Sequence, residues 1–271
     1  MIFSSQGSTL SFDVLGDGPA VMLLHPTPVD HRFWLLVARI LIPRYRVILP
    51  DLRGHGRSEA GAGAVTVEKL ACDAATLLDH LGIDRAFFGG CSVGGYALFE
   101  MWRRTPARVR GLAFCCSRPQ ADSDAVLARR SENMAKIRSG ETAAFVEAQV
   151  NTLIGPTARH RFPQKVDEAR EMMKGVSADV LIAIQEGLAA RPDSVATART
   201  IRVPCCVVAG GEDASSPPAD MRFLAEEIRR SAGTVEYTEI PDAGHFAPFE
   251  QPERVGGILR RWLDAAGKWE E

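Results

Sequence analysis

Short runs of unbroken apolar residues, separated by stretches of helical periodicity, constrain this chain most. Val21-Met22-Leu23-Leu24, Val47-Ile48-Leu49, Ala86-Phe87-Phe88, Leu112-Ala113-Phe114 and Val207-Val208-Ala209 contain no polar residue. A strand with one face in water alternates apolar and polar residues; a strand covered on both faces reads as a continuous run. Between the runs, apolar residues recur every three or four positions. Thr66 is placed to cap a helix carrying Leu70, Ala74, Leu77, Leu78 and Leu81, and Gly82 stops it. Near the end, Pro252 opens a helix with Val255, Ile258, Leu259, Trp262 and Leu263 on one face. The pattern predicts an α/β fold, a mostly parallel sheet flanked by helices. The expected strands are Ser11–Leu15, Ala20–Leu24, Arg46–Leu49, Ala86–Gly89, Val109–Cys115, Cys205–Ala209 and Thr234–Glu239.

One stretch breaks the alternation. From Arg118 to Thr197 no strand-like run occurs, and helices are expected at Asp124–Arg138, Thr142–Leu153, Val166–Lys174 and Asp179–Ala190. The 271 residues therefore divide into a core at 1–117 and 198–271 and a helical insertion at 118–197, folded over the top of the sheet. Net charge is −2, from 32 basic and 34 acidic residues. No basic stripe is present to neutralise phosphates, so nucleic acid is not an expected partner. Arg129-Arg130 and Arg229-Arg230 have acids close by, at Glu132 and Glu226-Glu227, and read as solvated helix faces. The N-terminus lacks a basic segment followed by a long apolar run, and no run is long enough to cross a membrane, so a cytoplasmic protein is expected. Six cysteines, at 72, 91, 115, 116, 205 and 206, read as small buried residues in a reducing compartment. Adjacent cysteines on a strand face opposite ways, and no Cys-x-x-Cys spacing calls for zinc.

Chemistry enters at Gly90-Cys91-Ser92-Val93-Gly94, directly after an apolar run. Strand, one-residue pivot and helix in that order push a serine out of the regular backbone into a cleft. A Cβ two residues to either side would collide across so tight a turn, which explains Gly90 and Gly94. A neutral hydroxyl is a poor nucleophile and needs a base, itself held by a carboxylate. His245 is the candidate base, in the turn-rich loop Pro241-Asp242-Ala243-Gly244-His245. Asp213 is the candidate acid, after a buried strand and Gly210-Gly211; Glu212 is its nearest rival, with Asp242 and Glu239 behind. Backbone amides must also receive the developing oxyanion. Val93, at a helix N-terminus, is expected to give one. Thr27 is expected to give the other, because Pro26 and Pro28 have no N–H.

With these residues in place, the chain resembles the α/β-hydrolase superfamily nearly end to end. The resemblance rests on Leu24-His25-Pro26-Thr27-Pro28, Asp51-Leu52-Arg53-Gly54-His55-Gly56-Arg57-Ser58, the elbow at Ser92, Gly211-Glu212-Asp213 and Gly244-His245-Phe246. Serine, acid and base stand in the order of that superfamily. The segments Gly187–Ser194, Ile201–Pro204 and Cys116-Ser117-Arg118 are similar to the small-cap esterase, enol-lactonase and haloperoxidase-like group. The resemblance implies an α/β-hydrolase fold with an eight-stranded sheet and a cap. It implies structural roles for Asp51, Arg53, His55 and Ser58. Two departures stand out. The usual His-Gly pair of the oxyanion loop is His25-Pro26 here, and the usual His before the nucleophile is Cys91. Some relatives place their acid after the sixth strand; Cys116 and Ser117 occupy that place, which favours Asp213.

The implied activity is hydrolysis of a small carboxylic ester or lactone through an acyl-serine, without metal or cofactor. The same residues also serve C–C hydrolysis, perhydrolysis, acyl transfer or cyclisation, and a ligand receptor can keep such a fold. A small carbonyl substrate is the expected partner, and a second copy of the chain is left open. Phe33, Trp34, Phe246 and the Met172-Met173 pair are candidate apolar pocket walls. Arg118 is a candidate contact for an anionic substrate. In the insertion, Leu153, Ile154 and Phe162 could face the cleft along with the methionine pair, but packing of the insertion onto the core suits all of them better.

Overall fold

The computed structural model describes residues 1–231 and 233–267. Its strands are β1 (Ile2–Ser5), β2 (Ser8–Leu15), β3 (Ala20–Leu24), β4 (Arg46–Pro50), β5 (Ala86–Cys91), β6 (Val109–Cys115), β7 (Cys205–Gly210) and β8 (Val235–Ile240). They form one eight-stranded sheet in the order β1-β2-β4-β3-β5-β6-β7-β8. The first two pairings are antiparallel and the remaining five parallel. The apolar runs are fully buried in β3, β5 and β7, as two-sided cover demands.

The strand β1 was not among those expected. Only Phe3 and Ser5 of its four residues are buried, so its signal is short and half polar. It hairpins onto β2 through Gln6-Gly7, both at positive φ (47° and 76°), as a type I′ turn requires.

The helices between strands are α1 (Leu35–Leu41), α2 (Val67–His80) and α3 (Val93–Arg104). Thr66 caps α2 by accepting from the Lys69 amide, and Gly82 beyond its end takes a positive φ of 63°. Between β6 and β7 the described residues hold no strand. They form α4 (Asp124–Arg138), α5 (Thr142–Leu153), α6 (Pro156–Arg161), α7 (Pro163–Lys174), α8 (Ala178–Ala189) and the single turn α9 (Val195–Ala198). Four of these begin within three residues of the expected starts; α6 and α7 each begin on a proline, a start signal the periodicity alone passed over. The chain closes with α10 (Pro218–Arg229), the turn α11 (Ala247–Glu250) and α12 (Pro252–Ala266), whose Val255, Ile258, Leu259, Trp262 and Leu263 are buried. No helix among the described residues is long and apolar enough to cross a membrane.

Strand order reverses around β3: β4 lies on one side of it and β5 on the other. Loops leaving the carboxyl ends of β3 and β5 diverge there and open a crevice, where ligands bind in open α/β sheets. The loop after β4 is pinned beneath that crevice by Arg53, which is only 2% exposed. Its guanidinium donates to both Asp73 oxygens (2.7 and 2.6 Å), to Ser8 Oγ (2.9 Å) and to the Ser5 carbonyl (3.2 Å). Hairpin, α2 and loop thus meet on one buried ion pair. Asp73→Ala strands the guanidinium without its counter-charge and is expected to cost about 3–5 kcal/mol. Urea unfolding followed by circular dichroism measures this. The double variant Arg53→Met, Asp73→Ala is expected to lose less than the sum of the two single variants.

Candidate active site

Ser92 sits at φ 52°, ψ −118°, between the end of β5 and the start of α3. A side-chain-bearing residue held in so sparse a region stores on the order of 1–3 kcal/mol, so its surroundings must hold it there. The Ser92 amide donates to the Cys115 carbonyl (3.2 Å). Its carbonyl accepts from the Tyr96 amide (2.9 Å) and from Ser117 Oγ (3.2 Å). The flanking glycines let backbones touch. A Cβ on Gly90 would lie 2.4 Å from the Gly94 carbonyl carbon, and one on Gly94 would lie 2.2 Å from the Leu24 oxygen. Cys91, one residue earlier, points into the core with no exposure. Burial pushes its thiol well above the ordinary range.

Asp213 and His245 leave the carboxyl ends of the adjacent strands β7 and β8. Their loops are laced together: the Gly211 amide donates to the Ile240 carbonyl and the Glu212 amide to the Ala243 carbonyl, both at 2.8 Å. His245 Nδ1 lies 2.8 Å from Asp213 Oδ2. The other Asp213 oxygen accepts from the amides of Ser215 (2.7 Å) and Ser216 (2.9 Å). Burial alone would raise the Asp213 carboxyl; His245 and the two amides outweigh it and hold it below the usual carboxylate range. A carboxylate that stays ionised can only accept, so it fixes the proton of His245 on Nδ1 and leaves Nε2 free to take another. Glu212, the rival acid, turns away to the helical segment, where it accepts from the Thr157 amide (3.0 Å) and hydroxyl.

The loop after β3 is buttressed by two neutral imidazoles. The Leu52 amide donates to His25 Nε2 (2.9 Å), so His25 Nδ1 carries its proton toward the Pro26 carbonyl (2.8 Å). His55 Nδ1 faces the Arg53 carbonyl (2.9 Å), which leaves Nε2 to accept from Thr27 Oγ1 (3.0 Å). The rings pack edge to face with centroids 5.2 Å apart. Burial lowers both histidines, His55 to about 3. The Thr27–Pro28 peptide is cis. Among the described residues, neither the Thr27 amide nor the Val93 amide donates to a protein acceptor.

Thr27, Ser92 and His245 line one cavity of about 200 Å³ between the sheet and the helices α4, α5 and α8. Arg118 lines it too, as the sequence suggested. Other candidate wall residues do not: Phe33, Trp34, Phe246, Met172 and Met173 are each at most 4% exposed and lie in the core. Phe33 packs on Phe246 (5.2 Å) and Phe249 (5.9 Å), an aromatic cluster beneath the His245 loop. The wall includes Leu153, one of the insertion residues the sequence offered for the cleft, and Tyr96, Arg130, Thr152 and Gln185, which it did not mark. Arg130 does not follow the solvated-face expectation. It is half-buried and reaches Asp122 (2.6 Å) and Gln185 (3.0 Å), whereas Arg230 does pair with Glu227 as its neighbours suggested. The single carboxylate of Asp122 serves Arg118, Arg130 and Arg191 at once. Asp122 sits in an irregular segment without periodicity, so only its proximity to Arg118 in sequence could have pointed to it. Five cysteines are buried as expected; Cys72, on α2, is half-buried.

Asp30, His31 and Asp51 come close enough together to share a metal ion. Their charges are already met, Asp51 by His31 (2.6 Å) and Arg57 (3.1 Å) and Asp30 by Arg32 (2.7 Å). The group reads as an ion-pair network bracing the loop after β4.

Residues 19–252 match the alpha/beta hydrolase fold family. A 3-oxoadipate enol-lactonase of Acinetobacter baylyi is 27% identical over 96% of this chain and 96% of its own. Among solved structures, a thermophilic esterase from Thermogutta terrifontis, malate bound, aligns with a TM-score of 0.91 at 33% identity, covering 98% of this chain and 97% of that one. The enol-lactonase from Burkholderia xenovorans aligns with a TM-score of 0.89 at 26% identity, covering 97% and 100%.

The neutral His55 ring carries a stability signature. Unfolded, it takes a proton near 6.5; folded, near 3. Between those values the unfolded chain holds a proton the folded chain lacks, so stability falls as pH falls, by about 1.4 kcal/mol per pH unit. His25, lowered in the same direction, adds to the slope. Chemical denaturation at steps between about pH 6 and pH 4 is expected to give a shallower dependence for His55→Gln than for wild type.

Proposed function

The chain belongs to the alpha/beta hydrolase family, and we propose that it hydrolyses a small carboxylic ester or lactone bearing an anionic group, through an acyl-serine. The observation that carries this reading is the hydrogen bond between His245 Nδ1 and Asp213, behind a cavity wall that also holds Ser92. His245 Nε2 takes the proton of Ser92 Oγ as the oxygen attacks the carbonyl carbon. Asp213 keeps the ring oriented and stabilises the imidazolium. The amides of Thr27 and Val93 receive the oxyanion, the latter aided by the positive end of the twelve-residue helix α3. His245 then returns the proton to the leaving oxygen. Water, deprotonated by the same nitrogen, releases the acid from Ser92.

The anionic preference rests on the charge of the wall. Three guanidinium groups share one carboxylate at Asp122, which leaves two positive charges in excess beside the cavity. Arg118 Nε is buried without a partner. Arg191 is stacked 4.0 Å over the Tyr96 ring and adds its field from behind the wall. A carboxylate on the substrate answers that excess. The helices α4 to α8 act in this reading as the cap that supplies the wall. The esterase from Thermogutta terrifontis, described with malate bound, and the two enol-lactonases support an ester or lactone substrate.

Release of p-nitrophenol from short esters is expected to fall about 10,000-fold or more in Ser92→Ala and in His245→Ala. Turnover that persists in either purified variant would sink the mechanism. A second comparison pits a neutral ester against one with a terminal carboxylate. Arg130→Ala is expected to lower kcat/KM for the acidic ester by roughly 10- to 100-fold, the worth of a hydrogen bond to a charged group. It is expected to leave the neutral ester within about 3-fold. Equal losses on both esters would remove the anionic assignment.

A further inference from the structure

Glu250 ends α11 five residues after His245 and lies outside the cavity, with 1% of its surface exposed. Its carboxylate accepts from three backbone amides. Oε2 takes the Gly244 amide at 2.8 Å and the Gly155 amide at 3.2 Å; Oε1 takes the Phe246 amide at 3.2 Å. Gly244 and Phe246 are the two chain neighbours of His245, so one side chain brackets the imidazole from both sides. Gly155 belongs to the turn between α5 and α6. The same turn is bound twice more to the reacting loops. The Phe246 amide also reaches the Leu153 carbonyl (3.0 Å), and Thr157 donates to Glu212, the neighbour of Asp213. The turn and the His245 loop lie backbone to backbone: a Cβ on Gly244 would sit 2.3 Å from the Gly155 nitrogen.

We propose that Glu250 is a positioning residue for the base, whose carboxylate clamps the His245 loop to the 153–157 turn so that cap and base hold one geometry. This rests on His245 being the base. A carboxylate suits the task because its two oxygens accept without donating. Glutamine keeps one oxygen but must aim an NH₂ at an amide that needs an acceptor. The inward side chain of Leu153 lines the cavity from the same turn. A displacement of that turn therefore reaches His245 through Glu250 as well as through the Phe246–Leu153 bond.

Two variants test the clamp from opposite ends. Glu250→Gln breaks it in the His245 loop. Gly155→Ala acts from the cap: at φ −59°, ψ 146° alanine is unstrained, but its Cβ would lie 2.5 Å from Glu212 Oε2, 2.7 Å from the Gly244 nitrogen and 3.0 Å from Glu250 Oε2. Each variant is compared with wild type in steady-state hydrolysis, in the rate at which a small fluorophosphonate labels Ser92, and in its urea midpoint. Labelling needs the base and makes little use of the cavity wall. Both variants are expected to lose at least about 10-fold in kcat and in labelling rate while KM stays within about 2-fold, the pattern of an interaction acting on the chemical step. Unchanged labelling per folded molecule in both variants overturns the proposal, including the case where activity merely tracks lost fold. Should Glu250→Gln not fold, Gly155→Ala decides alone. If His245→Ala is labelled as fast as wild type, the base assignment itself fails, and the clamp falls with it.

Discussion

The contact on which the site depends is the approach of α3 to β3 at Gly94 and Leu24. With a hydrogen in place of a Cβ, the helix start comes so near that any side chain would lie 2.2 Å from the Leu24 carbonyl oxygen. That closeness sets the distance between the two loops that leave β3 and β5. Val93 heads the helix and Thr27 follows the strand, so their free amides both sit beyond the carboxyl ends of two adjacent parallel strands. The bent backbone at Ser92 is the other half of the same constraint. Its cost is tolerable because strand β6, through the Cys115 carbonyl, and Ser117 close hydrogen bonds on it from one side, while Gly90 and Gly94 remove obstruction from the other.

Electrostatics around this frame divides by location. Below the loops, burial keeps His25 and His55 neutral, and neutral rings can each donate once and accept once. That is the pattern needed to link Pro26, Leu52, Arg53 and Thr27 into one brace. A protonated ring at either position would set a second donor against the Leu52 amide or the Thr27 hydroxyl. Proline at position 26 is accommodated because its carbonyl, not its missing N–H, is the group the brace uses. Above the loops the charges are permanent: Asp213 held ionised beside His245, and Asp122 shared among three arginines.

Sequence patterns carried the frame well and the wall poorly, for physical reasons. Buried parallel strands and a glycine-flanked pivot impose strict local requirements, so their residues are readable one position at a time. Ser92, Asp213, Thr27 and Val93 lie at carboxyl ends of strands that the apolar runs marked; His245 follows the more polar edge strand β8 and was legible from its turn-rich loop instead. A pocket wall is set instead by which way helices of the 118–197 segment turn. Phe33, Trp34 and Phe246 had the hydrophobicity of a wall but were drawn together into an aromatic cluster, where they bury more surface. Arg130 had the look of a solvated face because Glu132 was near in sequence; its partner, Asp122, comes from the segment preceding α4. Glu250 gave no sign at all, since its partners are backbone amides, which have no sequence signature.

The strand pattern draws a boundary at 118 and 197, yet hydrogen bonds cross it beside Asp213 and His245. Glu212 and Glu250 belong to the sheet side, and both find donors in the 153–157 turn. Burial pushes Glu250 up to about 7 even with three amides facing it. Deprived of Gly155, it would keep two donors and the same burial, and its ionised form would be still less favourable. The two sides are therefore not a scaffold and a detachable lid. The helical segment completes the polar satisfaction of the loops that carry Asp213 and His245, and it places Leu153, Arg130 and Gln185 on the cavity wall in the same stroke. A change of sequence in the helical segment that altered the wall while leaving the 153–157 turn untouched would alter what enters the cavity without disturbing His245. One that moved the turn would act on both at once.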